Sequence, residues 1–143
     1  MRWTATTLVA SLSWTACSAA GPPLLIEAGK PFNLRAGESA QTSDQALRVG
    51  FDGVTADSRC PKGEQCVSAG DAIARVWLQQ GFVPRETRNL HTAPGSVQRA
   101  NAFGHELRLV QLDPAPISGR TIDKSHYIAT LTLTRGSTDA PDR

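Results

Sequence analysis

Tyr127-Ile128-Ala129-Thr130-Leu131-Thr132-Leu133-Thr134 alternates strictly between two kinds of side chain. Tyr127, Ala129, Leu131 and Leu133 fall on one face, and Ile128 and three threonines fall on the other. A period of two is the mark of a strand, and one greasy and one hydroxylated face place it at the boundary of a core. The same rhythm recurs upstream. Phe32 and Leu34 alternate with Asn33 and Arg35, and Gly37 then turns the chain into a short segment over 38–41. Leu47, Val49 and Phe51 alternate with Arg48, Gly50 and Asp52. At Gly53 the apolar phase slips to Val54 and Ala56, which predicts a bulge or bend there.

Asp71 to Gln80 has apolar residues on both faces, Ala72, Ala74, Val76 and Leu78 against Ile73 and Trp77. That pattern predicts a central strand; a helix competes because alanine is frequent, but the β-branched and aromatic residues oppose it. Residues 84–91 read as a weak edge strand. Leu107 and Leu109 begin another strand, with a second slip before Leu112, and Asp113-Pro114-Ala115-Pro116 ends it. About seven short strands separated by turn residues predict an all-β domain, an antiparallel β-sandwich in the first place and a small β-barrel as the alternative.

The 143 residues carry 15 Lys+Arg against 13 Asp+Glu, for a net charge of +2. This balance gives no electrostatic case for nucleic acid, and no cofactor motif is present. The first 16 residues hold one positive charge, a short apolar run and small residues before Cys17, the layout of an export signal. The run is shorter than the about 20 apolar residues that span a bilayer. Trp14-Thr15-Ala16-Cys17 is similar to a bacterial lipobox, whose Cys becomes the lipidated first residue of the mature chain. Plain cleavage near Ala19 or Ala20, giving a secreted protein, is the alternative. The reading divides the chain into a leader (1–16), a lipidated flexible tether (17–30), the β domain (31–135) and a loose tail (136–143). The expected location is the cell envelope, with membrane lipid and an envelope protein as partners.

Lipidation of Cys17 leaves Cys60 and Cys66 as a pair in an oxidising compartment. Pro61 and Gly63 lie between them and can turn the chain back on itself, so a disulfide stapling two strands is expected. Zinc would find its site half built, and a redox dithiol usually has a tighter spacing.

The run Asp57-Ser58-Arg59-Cys60-Pro61-x-Gly63-x-x-Cys66-x-x-Ala69-Gly70-Asp71-Ala72 resembles the hallmark segment of small exported bacterial proteins, often lipoproteins. The likeness extends over most of residues 31–135, and relatives tend to carry Trp where this chain has Ser68. The resemblance implies an exported β domain and brings no catalytic residue with it.

Four further constellations merit attention. Asp57, Glu64 and Asp71 could surround a hard cation, although no recognised calcium loop supplies six to eight oxygens. His91, His105 and His126 lack ligand spacing, which favours solvated strand-edge histidines. Arg75 and Trp77, two apart on one strand face, could form a cation–π pair, with packing between sheets as the alternative. Arg59 beside a stapled loop could present a substrate-like bond to a trypsin-like protease. The candidate binding surface is therefore Arg59, Arg75 and Trp77. The expected function is a membrane-anchored, non-enzymatic binding or envelope accessory module, with a secreted protease-inhibitor-like domain presenting the Arg59 loop, or a metal-binding lipoprotein, as alternatives.

Overall fold

The computed structural model describes residues 21–136. Nine strands follow in order: β1 (Leu24–Ile26), β2 (Pro31–Arg35), β3 (Ser39–Thr42), β4 (Leu47–Asp57), β5 (Ala72–Gln80), β6 (Glu86–His91), β7 (Arg99–Ala102), β8 (His105–Asp113) and β9 (Ile128–Arg135). A single 3-10 turn, Lys124–His126, precedes β9, with Asp123 capping it through Ser125 N. The strands form two open sheets, β1-β3-β4-β5-β6 and β2-β9-β8-β7. This is the expected sandwich, and the sheets do not close into a barrel.

Phase explains the layers. In β9 the side chains of Ala129, Leu131 and Leu133 are buried while Ile128, Thr130 and Thr132 are only half covered. Leu107, Leu109 and Leu112 of β8 and Leu34 of β2 join them from the same sheet. Leu47, Val49, Phe51, Ala72, Ala74, Val76, Leu78 and Leu90 face them from the other sheet. Each fully buried Leu, Val or Phe contributes about 1.5–3 kcal/mol relative to exposure, so this double layer dominates the favourable side of folding.

Both phase slips are structural. The β4–β5 register shifts between Phe51 and Gly53 and again between Val54 and Ala56. The β8–β9 register shifts between Leu109 and Gln111, turning Val110 to solvent and Leu112 back into the core.

Three expectations need correction. The described residues form nine strands rather than about seven, β1 and β7 being the additions. The first sheet is mixed, since β1 pairs parallel to β3 through Leu24↔Ala40, Leu25↔Gln41 and Ile26↔Thr42. The flexible tether also cannot extend to residue 30: the domain begins at Leu24, and Ile26 is a buried core residue. The lipobox, Cys17 and nearly all of the tail lie outside the described residues.

Candidate functional site

The signature segment forms the connection from β4 to β5, and its side chains close one end of the sandwich. Asp57, the last residue of β4, accepts hydrogen bonds at Oδ1 from Arg59 N (3.2 Å) and Nε (2.9 Å). Its Oδ2 accepts from Arg59 Nη2 (2.7 Å) and from the Tyr127 hydroxyl (3.0 Å). The Arg59 guanidinium also donates to the carbonyls of Leu112 (2.7 Å) and Pro114 (2.9 Å) at the end of β8. One planar fork thus joins the end of β4 in the first sheet to the end of β8 in the second, a geometry that lysine could not reproduce. Burial raises the Asp57 pKa, but the bonds from Arg59 and Tyr127 outweigh it and hold the carboxyl below the usual carboxylate range. Burial and the Asp57 charge both push the Tyr127 phenol up.

Ser58 and Asp71 form the throat of the loop. Ser58 N donates to Asp71 O (2.7 Å), and Asp71 N donates to Ser58 Oγ (3.2 Å). Gly70 lies against this throat at φ +70°, where a Cβ would stand 1.9 Å from Ser58 O. Only glycine tolerates both the left-handed backbone and that approach. Cys60 N donates to Ala69 O (2.8 Å), and Cys60 and Cys66 are disulfide-bonded with their Cα atoms 5.9 Å apart. Beyond the staple, Lys62 N donates to Pro116 O (2.9 Å), and Lys62 bridges in parallel to Ile117. Glu64 accepts from Ser118.

Asp71 ties in a third loop. Its Oδ1 accepts from Thr92 N (3.0 Å) and Ala93 N (2.9 Å), and its Oδ2 meets His91 Nδ1 at 2.5 Å. Partial burial raises the Asp71 pKa, and the bonds from His91, Ala93 and Thr92 more than reverse that rise. The signature therefore encodes a clasp linking the β4–β5, β6–β7 and β8–β9 connections. Its acidic residues are occupied separately: Asp57 by Arg59, Asp71 by the 91–93 segment and Glu64 by Ser118. Among the described residues, no group of three or more His, Cys, Asp or Glu side chains gathers as a ligand set.

The three expected surface residues have different fates. The Arg59 side chain is 14% exposed and turned into the clasp, so it is not presented as a protease-inhibitor loop requires. Arg75 is open to solvent on the outer face of the first sheet, with Nε 3.8 Å from Asp52. Trp77 also points to that outer face, yet it is only 6% exposed. It lies over Gly50, its cross-strand partner, and the guanidinium carbon of Arg85 sits 3.9 Å from its ring centre. The cation–π partner is thus Arg85 rather than Arg75, and Trp77 packs outside the sandwich rather than between its sheets. The hairpin register carries the missing signal: Trp77 pairs with Thr87, making Arg85 its diagonal neighbour on the same face. The histidines also separate. His91 is paired with Asp71, His105 lies by the Phe103 carbonyl (2.9 Å), and His126 ends the 3-10 turn.

What the clasp leaves outside is apolar. Val67 on the stapled loop is fully exposed, and Ile117 on the neighbouring loop is half exposed. Comparison with protein-family models, curated proteins and solved structures gave no match. No helix among the described residues is long and apolar enough to cross a membrane.

Proposed function

We propose that this protein is an exported lipoprotein anchored through Cys17, and that its sandwich serves as a non-enzymatic binding module for an envelope protein. The observation that carries this reading is the clasp. Asp57, Arg59, Asp71 and His91 are used up in bonding three loops together, while Val67 and Ile117 stay uncovered on two of them. A rigid loop pair that displays apolar side chains loses little conformational entropy on binding, which is the physical advantage of a preorganised interface. The disulfide supports an oxidising compartment and hence export.

Two measurements test the reading. Labelled fatty acid should enter the wild-type protein and not Cys17→Ser, and the variant should leave the membrane fraction. Unchanged fractionation refutes the anchor. A photo-crosslinking residue at position 67 should yield a discrete adduct in intact cells that Ile117→Asp abolishes. Absence of any adduct from position 67 refutes the binding face.

A further inference from the structure

The outer face of the first sheet carries a stack that the clasp does not use. Arg48 pairs with Gln79, and Leu78 pairs with Glu86, so Arg85 follows opposite Gln79 and the three residues share one row. At the usual strand spacing the backbones of Arg48 and Arg85 stand about 10 Å apart. Trp77 shortens that gap. Its indole leans from β5 over Gly50 of β4, where a Cβ would fall 2.0 Å from Cε2 and 2.3 Å from Nε1. Arg85 lies on that ring, its guanidinium carbon 3.9 Å from the centre. The guanidinium is therefore carried toward β4, where Arg48 stands on the same face two residues from Gly50, about 7 Å along the strand.

The stack fixes Arg85 without occupying it. A guanidinium lying flat on an indole keeps its N–H donors around its rim. Among the described residues neither Arg85 nor Arg48 has an ion-pair partner. The acids nearby are engaged elsewhere. Asp52 faces Arg75 at 3.8 Å, Glu86 is bonded to Arg88, and Glu38, which shares a groove with Arg48, accepts from Arg35 N (2.9 Å). Two exposed cations drawn toward each other on one face lack a counter-ion.

The geometry selects the anion. One arginine fork fills both oxygens of a carboxylate, whereas a phosphate monoester offers three acceptor oxygens and a charge of about −1.5 to −2, enough for two forks. Trp77 is 6% exposed, with Gly50 on one face and Arg85 on the other, so no ring face remains for a sugar or base to stack on. Recognition therefore falls on the phosphate itself.

We infer that Arg48 and Arg85 form a clamp for a phosphate monoester, with Trp77 as the positioning residue that holds Arg85. The phosphate belongs to a soluble ester or to a lipid headgroup, and the same two forks receive it in either case. The clamp depends neither on Cys17 nor on the clasp loops.

Isothermal titration calorimetry of the purified full chain at about 0.15 M salt tests this, with glycerol 3-phosphate, dihexanoylphosphatidic acid below its micellar concentration, and acetate as probes. A phosphate probe should bind saturably at one site per chain, and acetate at least about tenfold more weakly. Arg48→Gln and Arg85→Gln should each weaken phosphate binding about tenfold or more, while Arg108→Gln on the outer face of the second sheet should change nothing. Arg85→Lys keeps the charge but not the planar fork and should recover little. Trp77→Phe should weaken binding in the wild-type background and add no further loss to Arg85→Gln, which a merely structural ring would not do. Binding of dihexanoylphosphatidic acid alone assigns the phosphate to a lipid headgroup; binding of glycerol 3-phosphate assigns it to a soluble ester. Saturable binding of neither phosphate up to about 10 mM overturns the clamp. Equal weakening by Arg108→Gln, or equal affinity for acetate, overturns it as well.

Discussion

Trp77 and Gly50 oppose one another across β5 and β4, and a Cβ placed on Gly50 would fall 2.0 Å from the indole. The glycine is thus the floor on which the ring rests, and the ring covers backbone that a strand glycine otherwise leaves bare. Gly50→Ala should destabilise the domain by about 2–3 kcal/mol through overpacking. The cost should shrink in a Trp77→Ala background, because the obstructing ring is gone. Urea denaturation of the four proteins checks this; equal costs in both backgrounds count against the contact.

Arg59→Ala should be among the most damaging substitutions outside the hydrophobic layers. It strands Asp57, whose side chain is only 12% exposed, and unbonds the carbonyls of Leu112 and Pro114. Breaking such a covered pair costs about 3 kcal/mol, and Arg59→Lys should recover only part of that. Thermal melts of the three proteins give the ranking.

Because Arg59 faces inward, the domain should neither inhibit trypsin at micromolar concentration nor be cut after Arg59 while folded. Arg59→Ala should leave residual trypsin activity unchanged. Inhibition by the wild type that the variant loses would restore the inhibitor reading.

Acid should loosen the clasp. Asp57 and Asp71 both titrate below their ordinary value in the folded state. A depressed carboxyl pKa contributes stability that is fully present above the unfolded value of about 3.9 and is lost as pH falls through the folded values. Stability from these two groups should therefore hold from neutrality to about pH 5 and decline below about pH 4. Asp57→Asn and Asp71→Asn should each flatten that decline in urea midpoints taken across the acid range. Undiminished slopes in both variants would argue against their role.

Reduction should weaken the fold without abolishing it. Closing the loop from Cys60 to Cys66 is worth about 2 kcal/mol in the chain-entropy model. The bonds from Ser58 to Asp71 and from Cys60 N to Ala69 O do not depend on the sulfurs. Cys60→Ser/Cys66→Ser should lower the urea midpoint while leaving the slope of the transition unchanged.

Local rhythm was enough to read β9, β4 and β8, slips included, because a residue's face follows from its neighbours two positions away. Leu24-Leu25-Ile26 carried no such rhythm; three residues are too few, and their order comes from the parallel partner β3. Arg99-Ala100-Asn101-Ala102 was missed for another reason: its inward side chains are only alanines. In the clasp, the Cys60–Cys66 staple was legible from six residues of separation. The partners of Arg59 were not, since the Leu112 carbonyl lies 53 positions away and the Tyr127 hydroxyl that shares Asp57 lies 70 from it. Backbone carbonyls have no identity in a sequence, so nothing in Arg59 itself points to them.

Those separations set an order of events during folding. The two thiols need only their own loop to meet and can come together while most of the chain is still searching, since short loops close in well under a microsecond, although the oxidation that joins them takes seconds or longer. The Arg59 fork can meet Asp57, two residues away, early, but its bonds to the Leu112 and Pro114 carbonyls wait until β8 has docked. A chain halted before that point carries a guanidinium bonded on one side only and a loop that a protease can enter. The completed fork removes the cleavage site, so wherever a protease meets the chain Arg59 marks the molecules that have finished folding.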